Sequence, residues 1–212
     1  GRQASWIPVT FRGVTASNSD KWRSQPDPSP ATIARAARGD ITAFTRIVER
    51  YQDMAYSVAY NILGSHPDAE DAVQEAFLRC YRRLGQYRGE AAFTTWLFRV
   101  VASSAVDLRR RERRRPEAAS FPFEVVDQVT PPLGEGPTAA ALLAALGELP
   151  DDYRTPTVLR DVYGMPYREI ARMTARPVGT VRVMVHRGRA SLRLNLRARG
   201  LEPGSAGETG GA

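Results

Sequence analysis

Between Ala31 and Leu108 the apolar residues recur at steps of three and four, with no sustained alternation of period two. That spacing puts one side chain per turn on a common face of an α-helix, so the segment has to bury its stripes by packing helix on helix. After a short helix ending near Gly39, the first long stripe runs Ile41, Phe44, Ile47, Tyr51, Met54, Val58 and Ile62. Asp40 stands ready as its N-cap and Gly64 as the residue that ends it. Ser65 is positioned to cap the next helix, with Pro67 in the first turn and Asp68 closing a capping-box-like pair. Its stripe is Ala69, Ala72, Val73, Ala76, Phe77, Cys80 and Leu84, and Gly85 stops it. A loop over 86–90 leads to a third long helix predicted from Thr94 or Thr95, with Leu97, Val100, Val101, Ser104, Ala105 and Leu108 as its stripe.

The third helix finishes in six arginines within residues 109–115, and Pro116 follows. Residues 116–137 are rich in proline and glycine, carry Glu117, Glu124, Asp127 and Glu135, and contain no basic residue, which marks a domain boundary. Helical patterning resumes over 138–147. Asp151 and Asp152 open a further helix toward Tyr163, although Pro156 argues for a start only at Thr155. Gly164 breaks the chain, Pro166 starts a short helix through Met173, and a last helix runs from near Pro177 toward Arg199 with Val181, Val185, Gly188 and Leu192 inward. Two helices joined by a tight turn, the second long and basic, form a helix-turn-helix pattern. The expected fold is all-α: two small helical domains, 31–115 and 138–199, joined by a flexible acidic linker over 116–137. Residues 1–30 read as a flexible extension, with a short strand at Trp6–Phe11 in need of a partner, and 200–212 as a disordered tail.

Composition removes several classes. No run of about 18 apolar residues occurs among the 212, which excludes a membrane-spanning helix. No charged-then-apolar leader opens the chain, so secretion is not expected and a cytoplasmic location is. The lone cysteine, Cys80, excludes an internal disulfide and reads as a core thiol. His66 and His186 have no metal-ligand spacing, so neither a metal nor a cofactor is assigned. No nucleophile pattern recommends itself, and an enzyme is not expected. Basic residues outnumber acidic ones by 30 to 23, and Lys21 is the only one of the basic set that is not arginine. Compositional bias accounts for the choice of arginine but not for its clustering, which is the footprint of nucleic-acid binding.

Two constellations stand out. Asp68, Asp71 and Glu75 fall at i, i+3 and i+7 and share a polar face with Gln74 opposite the apolar stripe. Such a face is either plainly solvated or a docking surface for a basic partner. Around the following loop, Tyr87, Phe93, Trp96 and Phe98 interleave with Arg88 and Arg99, the grammar of single-strand binding, with core packing as the alternative for Phe93 and Phe98. Gly39-Asp40, the run from Asp68 to Phe77, Tyr87-Arg88-Gly89-Glu90, Phe93 and Thr95 to Arg99 resemble region 2 of bacterial RNA polymerase sigma factors. Leu149-Pro150, Leu159-Arg160-Asp161, Tyr167 to Ala171 and Pro177 to Arg182 resemble region 4. Two regions and a short linker are similar to the extracytoplasmic-function (ECF) group.

The resemblance implies functions residue by residue. Asp68, Asp71, Gln74 and Glu75 match the surface that grips the clamp helices of the polymerase β′ subunit. Tyr87, Arg88, Phe93, Thr95, Trp96, Arg99, Ser103, Arg109 and Arg110 fall where the minus-ten element is captured and melted on its non-template strand. Arg176, Thr180, Arg182, Val183, His186 and Arg187 fall where the minus-thirty-five duplex is read. The family commonly has Asn at the position of Ser103, and a small polar residue followed by arginine where Val183 and Met184 stand. The expected partners are core RNA polymerase through β′ and β, promoter DNA both duplex and single-stranded, and, as in many members, an anti-sigma factor; no membrane insertion is expected. A free-standing helix-turn-helix regulator is the alternative, which leaves the acidic face and the aromatic loop without a purpose. A nucleic-acid hydrolase is disfavoured because no acids cluster at metal-binding spacing.

Overall fold

A computed structural model describes residues 27–114 and 137–201, and every element among them is helical. The expected strand at Trp6–Phe11, the linker and the tail from Glu202 lie outside the described residues. Helix α1, Pro30–Ala37, starts with proline in the first turn, where its missing N–H is no loss, and Ser29 Oγ accepts from the Thr32 amide at 3.2 Å. Asp40 caps α2, Ile41–Leu63, by accepting from the Ala43 amide at 3.0 Å, and Gly64 ends it at φ 73°, a left-handed conformation that glycine adopts without penalty. Ser65 caps α3, His66–Arg83, which tightens into a single 3₁₀ turn over Leu84–Gln86. Helix α4 spans Phe93–Glu112.

These four helices bury one core. Ile47, Tyr51, Val58, Ile62, Val73, Leu84, Phe93, Leu97 and Val101 are fully enclosed, and burying each such side chain stabilises the fold by about 1.5–3 kcal/mol. Helix α4 begins at Phe93, one or two residues before the predicted start at Thr94 or Thr95, because a donor-hungry first turn finds its acceptor elsewhere in the chain. Asp27 accepts from the Phe93 and Thr94 amides at 2.7 and 3.1 Å. Asp27 to Ser29 therefore belong to the fold rather than to a flexible extension, a partnership across 66 residues that no local pattern announces.

The second unit holds α5 (Pro137–Gly147), α6 (Asp151–Thr157), α7 (Tyr167–Thr174) and α8 (Val178–Ala198). Helix α6 starts at Asp151, not at Thr155, with Pro156 inside it and enclosed. Proline removes one ladder bond, and the next turn, Val158–Val162, widens so that the Tyr163 amide reaches the Val158 carbonyl at 3.3 Å. Helices α6 and α8 approach closely at Gly188, where an added Cβ would stand 2.1 Å from Thr157 Oγ1. The turn between α7 and α8 passes through Ala175 at φ 53°, and the Arg176 amide closes it on the Ala171 carbonyl at 3.0 Å.

The two units are packed together. Arg109 on α4 donates to the Leu63 carbonyl at 2.5 Å and pairs with Asp151 at 2.6 Å. Arg154, enclosed, donates to the same Leu63 carbonyl and to the carbonyls of Leu146, Gly147 and Leu149. One guanidinium thus satisfies the orphan carbonyls at the ends of both α2 and α5. Asn61 donates to the Tyr163 hydroxyl at 2.8 Å, and the Phe98 and Tyr163 rings lie 4.9 Å apart. No helix among the described residues is long and apolar enough to cross a membrane.

Candidate nucleic-acid interface

The acidic face is the outer side of α3. Ala69, Ala72, Val73, Ala76, Phe77 and Cys80 turn into the core, which leaves Asp71 exposed and Asp68, Gln74 and Glu75 half-buried. Arg79 holds Glu75 at 2.8 Å and Asp107 of α4 at 2.7 Å, so the face is braced from beneath. Asp68 is hydrogen-bonded to Glu112 at the end of α4. Burial, and then the Asp68 carboxylate beside it, push the Glu112 carboxyl up to about 7.

At the start of α4, Tyr87, Phe93 and Trp96 form a triangle with ring centroids 5.5–5.7 Å apart, and Tyr51 closes on Phe93 from below at 5.7 Å. The Tyr87 hydroxyl donates to the Ala91 carbonyl at 2.7 Å and ties the loop to itself. Tyr87 and Trp96 are half-buried, while Arg88 and Thr95 are exposed. Phe93 is a correction: it is 0% exposed and cannot offer a face to a base. It is the hydrophobic floor on which the other two rings rest. Phe98 is enclosed as well. Ser103, two turns on, is half-buried.

The arginine run divides by helix face. Arg109 is a second correction, since its side chain is 11% exposed and spent on Leu63 and Asp151. Arg110 points outward, pairing only within its own helix with Asp107 at 3.0 Å. Arg99 is half-exposed and bonded to Glu169 of α7 at 2.6 Å. Arg113, which the sequence reading did not single out by itself, meets Asp152 at 2.6 Å, and Arg176 meets the same carboxylate at 2.8 Å. A cavity of about 610 Å³ lies between the units, with Asp27, Thr94, Arg99, Tyr163 and Glu169 on its walls.

Helix α8 buries Val181, Met184, Val185 and Gly188 and exposes Thr180, Arg182, Val183, His186 and Arg187. Met184, which stands beside Val183 where the family commonly has arginine, faces the core. Val183 is 50% exposed, an apolar residue in the middle of a basic row. The Arg182 guanidinium sits 5.7 Å from the Tyr167 ring centroid, and Arg187 donates to the Tyr153 hydroxyl at 3.5 Å. Arg189, by contrast, is clamped on Asp161 at 2.9 and 2.5 Å. The outer row of α8 therefore has preset side chains but an open surface, as a helix entering a major groove requires.

Comparison with known proteins accords with this geometry. The Sigma-70 region 2 family matches residues 47–115, and the Sigma-70, region 4 family matches residues 139–192. The ECF RNA polymerase sigma factor SigE of Mycolicibacterium smegmatis is 33% identical over 194 residues, covering 88% of this chain and 75% of that protein. The ECF RNA polymerase sigma-E factor of Escherichia coli K12 is 34% identical over 173 residues, covering 76% and 90% respectively. The sigma factor RpoE of Bartonella quintana, solved with the anti-sigma factor NepR, shares the fold with a TM-score of 0.54 at 21% identity, covering 73% of this chain and 96% of that one. A region 2 helix set carrying an acidic face, followed in one chain by a region 4 helix-turn-helix, makes this protein a member of the ECF RNA polymerase sigma factors.

Proposed function

We propose that the chain binds core RNA polymerase, directs it to a specific set of promoters and assists their melting, while phosphodiester chemistry stays with the polymerase. The α3 face of Asp68, Asp71, Gln74 and Glu75 docks on the β′ clamp helices, with Asp71 as its most accessible carboxylate. Tyr87, Trp96, Thr95 and Arg88, with Ser103 and Arg110 further along α4, take the unpaired minus-ten strand. Extruding a base costs a few kcal/mol, and stacking returns about 1–3 kcal/mol per base. Arg99 joins them once it leaves Glu169. Thr180, Arg182, Val183, His186 and Arg187 read the minus-thirty-five duplex, with Arg176 at the edge of the groove. Val183 favours a thymine methyl over a guanine edge at one position. The domains act as 31–115 and 138–199, in the cytoplasm, and an anti-sigma factor covering the polymerase-binding faces is the natural means of control.

The observation that supports this reading best is the coexistence, on one chain, of an acidic docking face and two nucleic-acid surfaces of different chemistry, one aromatic and one arginine-lined. Run-off transcription with purified core polymerase tests it, followed by mapping of transcript starts. Promoter-dependent transcripts sharing two upstream elements are expected. Tight duplex binding without any such transcript would return the chain to the free-standing regulators.

A further inference from the structure

Resting on the sigma-factor reading above, we propose that Asp27 is a positioning residue for capture of the minus-ten strand. Brought in from ahead of α1, it completes the N-terminus of α4 and so holds Thr95 and Trp96 in register for unpaired bases.

The local sequence leaves that helix start incomplete. Ala92 occupies the N-cap position of α4 and has no side-chain acceptor. A helix N-terminus without one frays, because its first amides have no partner within the helix. Asp27 supplies what Ala92 lacks. Its Oδ2 accepts from the Phe93 amide at 2.7 Å, and its Oδ1 accepts from the Thr94 amide at 3.1 Å and from the Thr94 hydroxyl at 2.6 Å. An ionised carboxylate only accepts, so the Thr94 hydroxyl hydrogen is committed to it. The Tyr51 hydroxyl, 3.1 Å from Thr94 Oγ1 and enclosed on α2, is then the donor in that pair. The chain Tyr51 to Thr94 to Asp27 joins α2, α4 and the leading segment. Burial pushes the Asp27 carboxyl up, but the hydrogen bonds from Thr94 and Phe93 and the nearby Arg50 outweigh it and hold the carboxyl below its ordinary range.

The residues this cap controls are the reading residues. Phe93, whose amide Asp27 holds, is the enclosed floor of the ring cluster that supports Tyr87 and Trp96. Thr95 and Trp96 complete the same first turn. A ring that stacks on a base only when its own turn is ordered loses part of its affinity to the cost of ordering that turn. Capping residues of this kind shift the population of an intact helix start by about fivefold. Duplex reading by α8 and docking through α3 use other surfaces and do not depend on that turn.

The test compares the parent, Asp27→Ala and Asp27→Asn as full chains with core polymerase, on a promoter fragment that the parent holoenzyme selects from a random-sequence library. Core binding, closed-complex retention and permanganate reactivity of minus-ten thymines are read side by side. Asp27→Ala is expected to keep core binding and closed complexes within about twofold while lowering the opened fraction about fivefold. Asp27→Asn keeps one acceptor oxygen for the Thr94 N–H and hydroxyl but sets its amide N–H₂ against the Phe93 N–H, and is expected to restore part of the opening. Full opening by Asp27→Ala, a parallel loss of core binding and opening, or an Asp27→Asn as defective as Asp27→Ala would each overturn the proposal. Failure of the parent holoenzyme to select any promoter is a separate outcome, which removes the sigma-factor reading and this inference with it.

Discussion

Ala175 holds the turn of the helix-turn-helix at φ 53°, a conformation in which its Cβ crowds the following carbonyl. Glycine has no such contact, so Ala175→Gly is expected to raise the stability of the second unit by about 1 kcal/mol, less the extra entropy of an unfolded glycine. Thermal denaturation followed by circular dichroism checks it. Glu112 makes a pH-dependent contribution. Its folded value is raised from 4.5 to about 7, so the folded state favours the proton. The stability it contributes is fully present below about 4.5 and is lost as the pH rises through about 7. Glu112→Gln, permanently neutral, should flatten the dependence of melting temperature on pH in that window. At pH 8 it should stabilise the chain by at most about 1 kcal/mol, since solvent still screens a half-buried group. A parallel shift of the whole curve, with its slope intact, would place the titration on another group.

Helices were legible as elements because each stripe has to enclose one face: Val58 and Ile62 on α2, Val73 and Phe77 on α3, and Val101 on α4 are all buried as their period requires. Starts and interruptions were less legible. Thr155 looked like the start of α6 because Pro156 is tolerated best in a first turn, yet packing of Thr155, Pro156 and Thr157 into the interior outweighs one lost backbone bond. On α8 the apolar period put Val181 and Val185 inward, as observed, and Met184, which that period did not include, joins them in the core. The outer row carries the prediction at this scale. Arg187→Ala in the full chain with core polymerase should lose about 1–3 kcal/mol at one base pair of the minus-thirty-five element. Competition against a library of variant duplexes at two salt concentrations measures it. A loss that is even across sequences, with the salt slope reduced by about one, would make Arg187 a phosphate anchor instead.

In the whole molecule, Arg99 and Arg176, each on a proposed DNA-binding surface, and Arg113 are paired with carboxylates at the junction of the two units. Arg99 bonds Glu169, and Arg113 and Arg176 share Asp152, while Arg109 and Asp151 form the more enclosed pair beneath. Elements at minus ten and minus thirty-five lie on the order of 80 Å apart at about 3.4 Å per base pair. On the function proposed above, units in contact could not engage both elements, and promoter binding would require them to separate. Exposed pairs contribute about 0–1 kcal/mol each and are screened by salt. Asp151→Asn with Asp152→Asn and Glu169→Gln is therefore expected to enlarge the radius of gyration in small-angle scattering, as is raising the salt. Each single exposed substitution should do little. An unchanged radius in the triple variant would mean that the Phe98–Tyr163 contact and the hydrogen bonds of Asn61 to Tyr163 and of Arg154 to Leu63 hold the junction without the ion pairs.

Period, caps and charge clustering by themselves determined the all-α class, the two helical units, the acidic face of α3 and the basic outer row of α8. All of these depend on residues within a few turns of one another. Tertiary structure alone decided which members of those sets face outward. Phe93 lies beneath Tyr87 and Trp96, and Arg109 is spent on Leu63 and Asp151, because helices crossing from elsewhere in the chain close over them. Asp27 at the head of α4 and Arg154 at the ends of α2 and α5 belong to the same class. A backbone donor or acceptor left over at a helix end takes the nearest partner in space, and local spacing carries no record of which distant residue the packing will bring there.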